Sequence, residues 1–373
     1  MVKVRFARFA TWALGHLDTL PMVLALASPI WAAPTRPRRM ASPVSNCAGV
    51  YPDGPRQRPE ITLVGITGGT GLSAVGGLLA AGVQPHRLAA LTRSPSSPAS
   101  QQLATLGVRL IPGDLDDAAS VRRAMRGATR VYVHALAADS GDEGERQLAR
   151  AQTLSDALAP SQPCDDVARH LVFNSAAGIG RAQSRKLPLQ IRQKGDVESL
   201  FARNSAFSHT FLRPAMFMEE WWKGYTRGAV LEGTLRLSLP SDKKLQLTAV
   251  RDVGFAAARA LCAPHAFAGR VLPLAGDELT PLQMAAAFAH AQRSDVRYSR
   301  MPAWPLALLK PQLWRIVRFL EDPGYGIDVA ACRKEHPWML TFAQFLEATR
   351  WADASRSYSG VRYADADAFA NRA

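Results

Sequence analysis

The sequence predicts an α/β chain: a doubly wound parallel sheet with a smaller C-terminal substrate-side region. Three observations carry that expectation. A short β-branched run at residues 61–66 gives way to glycines and then to a small, apolar helix at 72–81. Strand-length apolar runs then alternate with helix-length segments as far as residue 212, and such alternation implies parallel strands joined by helical crossovers. Beyond Pro214 the rhythm changes, and Met and aromatic side chains gather at 216–225.

The opening stretch reads ITLVGITGGTGLSAVGGLLAA, with Gly65, Gly68 and Gly71 in GxxGxxG spacing. Strand, glycine turn and helix in that order suit a pyrophosphate. Glycine permits φ > 0 and removes the Cβ that would hold a phosphate away. A helix start offers unpaired N–H groups and the positive end of its dipole. A tight βα turn packed without any ligand asks for the same residues, so it is the position between strand and helix that favours an anion site.

Further strands are expected at 88–92, 108–111, 130–134, 170–174 and 210–212, with helices at 100–106, 120–125, 146–158 and 191–203. Later come short strands or loops at 228–247, an Ala-rich helix at 252–261, a strand at 271–274, and a helix at 280–292 with Thr280 as its N-cap. A proline-punctuated apolar segment fills 302–314, and a last helix spans 341–351. The division is therefore an N-terminal extension at 1–59, a folded unit at 60–351 with its sheet part at 60–214, and a loose polar tail at 352–373.

Composition sets outer bounds. A length of 373 residues with 47% hydrophobic content describes a globular chain with ample core. The four cysteines, Cys47, Cys164, Cys262 and Cys332, form no CxxC pair, which argues against a disulfide framework and a zinc site. The net charge is +14, of which residues 1–59 carry eight basic residues against two acids. The remainder is spread out, as on a basic surface rather than a nucleic-acid groove. Leu20–Ala33 is broken by Pro21 and Pro29 and is too short to span a membrane. An organelle transit peptide, a secretory signal ending near Ala33 and an over-early start (with Met40 as the true one) all fit residues 1–59. A cytoplasmic location is the expectation, organelle targeting the alternative. No nucleic-acid or membrane partner is expected.

Strand ends carry the candidate chemistry. After the second strand comes Leu91-Thr92-Arg93-Ser94-Pro95, with no acid to take a ribose 2′-hydroxyl. Arg93 is a fixed cation suited to a 2′-phosphate, so NADP(H) is preferred over NAD(H). Asp114, after the third strand, suits either an adenine amino group or a helix start beside Asp116 and Asp117. His134, alone at the end of the fourth strand, reads as structural. Ser175, after Asn174, offers a hydroxyl to a substrate carbonyl. Lys194 can hold nicotinamide-ribose hydroxyls and lower a neighbouring pKa. Position 190 is Gln190, so no Tyr-x-x-x-Lys proton donor exists, and no general acid stands out.

Taken in order, GITGGTG (65–71), LTRSP (91–95), GDLDD (113–117), VFNSA (172–176), KGDVESLF (194–201), HTFLRPAMFMEEW (209–221), VRDVGFAAARAL (250–261), LAGDELT (274–280) and the block at 321–347 resemble the NmrA-like family of atypical short-chain dehydrogenases/reductases, nearest the ergot-alkaloid-type reductase branch. The resemblance implies an extended Rossmann fold binding NADP(H), closed by a small C-terminal region. It implies that Gly65, Thr67, Gly68, Gly69, Thr70 and Gly71 hold the pyrophosphate and that Arg93 meets the 2′-phosphate. Lys194 then sits by the nicotinamide ribose, and Pro214, Ala215 and Met216 line the nicotinamide side. The family contains reductases of quinones, imines and dyes, and also cofactor sensors without turnover. The expectation is an NAD(P)H-dependent oxidoreductase acting on a small apolar carbonyl, quinone or imine, with Lys194 and Ser175 as catalytic residues. The alternative is a non-catalytic redox sensor acting through a protein partner. Met216, Phe217, Met218, Trp221, Trp222 and Tyr225 are expected to line a flat apolar pocket or to pack a core. The stretch 181–186 is more basic than the family pattern.

Overall fold

A computed structural model describes residues 60–66, 69–134, 136, 143–159, 169–181 and 187–356. The expectations for 1–59, Thr67, Gly68, 182–186 and the last residues of the tail lie outside them, as does the side chain of Tyr225.

The first half alternates as the sequence pattern requires. In order come β1 (Ile61–Val64), α1 (Gly69–Ala80), β2 (Leu88–Thr92), α2 (Pro98–Thr105), β3 (Arg109–Pro112), α3 (Ala118–Met125), β4 (Arg130–Val133), α4 (Glu143–Leu158), β5 (His170–Asn174), α5 (Leu189–Arg203) and β6 (Ser208–Pro214). Side chains of β1, β2 and β5 are buried on both faces, which is why they read as unbroken apolar runs. Ser97 and Asp117 cap α2 and α3 through their side chains.

The second half continues with β7 (Met216–Phe217), a 3₁₀ turn (Met218–Trp222), α6 (Gly224–Leu231), β8 (Thr234–Leu237), β9 (Leu245–Thr248), α7 (Val250–Cys262), α8 (Pro264–Phe267) and β10 (Val271–Leu274). Then follow β11 (Asp277–Leu279), α9 (Pro281–Gln292), β12 (Arg297–Arg300), α10 (Trp304–Leu309), α11 (Pro311–Glu321), α12 (Val329–Glu335) and α13 (Phe342–Ala348). Thr280 and Thr341 each close a capping box at the start of α9 and α13.

The main sheet has seven parallel strands in the order β10-β6-β5-β4-β1-β2-β3. This is the Rossmann-like, doubly wound arrangement, whose strand order reverses beside β1. A small sheet, β11-β9-β7, grows from the carboxyl end of β6, and β8 pairs with β12 beyond it.

The two halves share one framework. Strand β10 lies at the edge of the main sheet, and α7 crosses α1 in direct backbone contact. A Cβ on Gly77 would stand 2.4 Å from the Gly254 carbonyl oxygen, and one on Gly254 would stand 2.1 Å from that of Ser73. The buried Ala257 and Ala258, three and four residues further on, extend this low-profile face.

The C-terminal region has its own core. Met218, Trp221 and Trp222 are at most 1% exposed and pack with Phe288, Phe342, Phe345 and Trp351. This corrects the pocket expectation for those three residues: their apolar faces fill a core, while Met216 and Phe217 remain half-buried. Two acids, Asp252 buried and Asp277 half-buried, hold the start of the last described helix. Asp252 accepts from the Leu340 N–H at 2.9 Å and is paired with Arg251, and Asp277 accepts from the Phe342 N–H at 2.8 Å. Desolvation raises the Asp252 carboxyl above its ordinary value, opposed by the Arg251 charge.

Residues 351–356 are fastened by Arg227. It lies 4.2 Å over the Trp222 ring and donates to the carbonyls of Trp351, Asp353 and Arg356 at 2.7–2.9 Å. Arg227→Ala is expected to lower stability by about 2 kcal/mol, from lost charge-assisted bonds and the cation–π contact. Thermal melting and limited proteolysis after Trp351 report it, and an unchanged melt would deny the anchor.

Candidate functional site

The carboxyl ends of β1, β4, β5 and β6 are held by ladder bonds that run past the strands. His134 N–H donates to Val64 O at 3.1 Å, Ser175 N–H to Leu212 O at 2.8 Å, and Ala215 N–H to Leu274 O at 3.0 Å. The residues after these strands therefore sit on a rigid edge, where open α/β sheets place ligands.

At β1 the chain turns through Gly65, with φ of +73°. The helix then starts at Gly69, earlier than the expected residue 72, so Gly69, Thr70 and Gly71 form its first turn. No acidic residue lies in that turn, which leaves its N–H groups and dipole suited to an anion. Gly71 is constrained by the chain itself: a Cβ there would stand 2.2 Å from Ile66 Cα. Its absent side chain lets the helix close on the strand.

Thr70 opens a hydrogen-bond chain across three strand ends. Its Oγ1 lies 2.5 Å from His134 Nε2, and His134 Nδ1 lies 2.8 Å from Asn174 Nδ2. An Asn174 N–H donating to Nδ1 places the imidazole proton on Nε2, directed at Thr70. The Asn174 carbonyl accepts from Lys194 Nζ at 3.0 Å, and the Ser175 carbonyl does so at 2.8 Å. Thus His134, expected to be an isolated structural residue, links the glycine turn to Lys194. The register foretells it: Val64 is opposite Val133, and Val133 opposite Phe173, so the residues after these strands are neighbours. Aligning strand ends, rather than weighing His134 alone, is the signal that finds this chain.

Lys194 is in the second turn of α5 and is half-buried. Desolvation brings its pKa down to about 8, against an opposing pull from Glu198. Glu198, one turn later, forks onto Arg213 of β6, with Nε–Oε1 at 3.0 Å, and clamps α5 to the sheet. Two of the three Lys194 N–H groups are taken by carbonyls, leaving one. Ser175 Oγ and Asn174 Oδ1 are buried with no hydrogen-bond partner among the described residues. Buried polar atoms are rarely left so, and both lie at the carboxyl end of β5, the edge at which open α/β sheets bind ligands. The residues present therefore fit a dinucleotide: a helix start without acids, a glycine turn, and orphaned donors and acceptors at the next strand ends.

The other expected residues are spread along the same edge. Arg93 is exposed after β2, and its charge helps lower the Asp116 carboxyl, whose largest cause is the hydrogen bond from Arg150. Arg150 forks onto Asp116 with two bonds of 2.7 Å. Asp114 accepts from the Asp116 N–H at 3.0 Å, so one carboxylate oxygen shapes the turn before α3. Pro214 is buried at the end of β6. Two of the clefts among the described residues lie away from these side chains. One of about 330 Å³ lies between Lys244, Gln246 and Tyr325, and one of about 240 Å³ lies at the amino ends of the strands by Arg130 and His170. Neither touches Lys194 or Ser175.

A protein-family model described as the NmrA-like family matches residues 57–361. The chain belongs to the NmrA-like family. Among curated NmrA-like proteins it is 25% identical over 265 residues to the NmrA-like family domain-containing oxidoreductase cpsB of Aspergillus campestris, covering 66% of this chain and 76% of that one. The NADPH complex of the Escherichia coli quinone oxidoreductase QOR2 superposes with a TM-score of 0.61 at 21% identity, over 77% of this chain and 98% of that one. NmrA, a negative transcriptional regulator solved with NADP, does so at 0.62 and 18%, over 80% and 96%; it has also been solved with NAD. At these identities the solved structures share the NmrA-like fold with this chain. Among the described residues no helix is long and apolar enough to cross a membrane.

Proposed function

We propose that the chain is an NAD(P)H-dependent oxidoreductase that reduces a small apolar carbonyl, quinone or imine. The observation that carries the proposal is the Ser175 hydroxyl, without a partner among the described residues, beside the half-buried Lys194, both tied through Asn174, His134 and Thr70 to the first turn of α1. Gly65, Gly69, Thr70 and Gly71 hold the pyrophosphate, joined by Thr67 and Gly68. Lys194 directs its remaining N–H at the nicotinamide ribose, and Pro214, Ala215 and Met216 flank the ring. A bound reduced nicotinamide supplies the hydride. Hydride addition to the substrate carbon would leave charge on its oxygen or nitrogen; Ser175 donates a hydrogen bond there, and a proton from water, relayed through Ser175 or the Lys194 ammonium, completes the reduction. Names among the relatives support this reading: cpsB is called an oxidoreductase, and QOR2 an NADPH-dependent quinone oxidoreductase.

NADPH oxidation against a panel of quinones and imines tests it. Turnover supports the proposal, and tight NADPH binding with no turnover across the panel overturns it. That second result is what a redox sensor would give. The sensor reading draws on Gln190, which leaves no Tyr-x-x-x-Lys donor, and on NmrA itself, a transcriptional regulator that binds NADP.

NADP(H) is the preferred cofactor in this reading, through Arg93. Arg93→Ala is expected to weaken NADPH about tenfold and leave NADH unchanged, since it removes one charge-assisted phosphate contact. Titration of both dinucleotides decides the matter; equal affinities in the wild type would end the assignment.

A further inference from the structure

Helix α10 buries only Leu306. Trp304, Leu308 and Leu309 are 57%, 79% and 56% exposed, three large apolar side chains on one six-residue helix. Other exposed hydrophobics, such as Leu106 and Val271, stand singly, and single ones need no explanation whereas a cluster does.

The surroundings are cationic. From Arg293 to Glu321 the chain carries Arg293, Arg297, Arg300, Lys310, Arg315 and Arg318 against Asp295 and Glu321. Arg300 and Arg318 share Glu321. Arg293, Arg297, Lys310 and Arg315 have no carboxylate within 4.0 Å among the described residues. On α11, which packs against α10, Leu313, Val317 and Leu320 are buried while Arg315 and Arg318 are exposed.

We infer that α10 and its basic collar form a docking surface for an anionic lipid bilayer. A protruding turn with Trp and two Leu can enter the headgroup boundary, and the collar then meets lipid phosphates and carboxylates. A protein partner would ask for a broader face of about 800 Å², whereas three exposed apolar side chains with cations on the adjoining segments match a charged interface. The helix lies on the membrane and does not span it, consistent with its six residues. Apolar substrates dissolved in a bilayer would then be met at its surface.

Co-sedimentation of the full chain with phosphatidylcholine vesicles, with and without phosphatidylserine, tests this. The wild type is expected to pellet with phosphatidylserine vesicles at low salt and to be released at high salt. Leu308→Asp with Leu309→Asp should weaken binding about tenfold or more, since two side chains lose their burial. Both residues are exposed, so the melting temperature should hold and serve as the folding control. Absence of pelleting at low salt overturns the inference. So does undiminished binding of the double variant, which would move the contact to the Arg-rich residues 1–59. Self-association abolished by the double variant, without vesicle binding, also overturns it and makes the occupant a second copy.

Discussion

Replacing Lys194 by methionine is expected to lower turnover by about 10²- to 10⁴-fold, the range for loss of a positioned proton-transfer group. Methionine keeps the length of the side chain and removes the charge and the bonds to the carbonyls of Asn174 and Ser175. The pH dependence separates this from a packing effect. Burial sets the Lys194 pKa at about 8, so the cation is lost as pH rises through that value. The kcat/KM of the wild type should fall on that limb, and in the methionine variant the limb should be flat. If the chain turns out not to turn over, the same limb should appear in NADPH affinity. Stability runs the other way. The unfolded lysine keeps its proton to about 10.5 while the folded one releases it at about 8, so between these values the unfolded state binds more protons and stability rises with pH. Below about pH 8 the desolvation of the cation offsets part of what its two bonds to carbonyls contribute. An unchanged pH profile in the methionine variant would deny Lys194 its role.

Gly254→Ala should produce a large loss of stability from a single added methyl group. The new carbon would stand 2.1 Å from the Ser73 carbonyl oxygen, and both atoms belong to helix backbones that cannot rotate away. Overpacking of this kind costs about 3 kcal/mol or more. Gly228→Ala in α6 is the matched control, since nothing lies within 4 Å of its Cβ position; there alanine should stabilise by about 0.5 kcal/mol through helix propensity. Chemical denaturation of the two variants makes the comparison. Equal midpoints would mean that α1 and α7 do not cross as closely as described.

Much of the architecture could be read from local pattern, because a buried parallel strand needs a run such as Leu88–Thr92 and a crossover helix needs its own length. What local pattern does not carry is which surface a side chain meets. Trp221 and Trp222 read as pocket or, more readily, as core, and the positions of Phe288 and Trp351 decide for core. Gly71 fits an anion cradle in the sequence, yet its nearest constraint is the Ile66 backbone. Substitution there would disturb the fold as well as any ligand, so it cannot isolate dinucleotide binding. The site was legible in pieces: Thr70, Asn174 and Lys194 each lie in recognisable motifs. His134 joined them only when strand register placed it beside Asn174, a relation between residues 40 apart.

The seam between α1 and α7 also bears on biosynthesis. Gly77 and Gly254 approach within contact although the second is synthesised long after the first, and β6 gains its outer neighbour only with β10. A nascent chain that has emerged as far as Pro214 thus shows water the low-profile side of its first helix and an unpaired strand edge, both prone to association. Ribosome-bound intermediates of that length should need chaperone cover, and a gene fragment ending there should yield insoluble product.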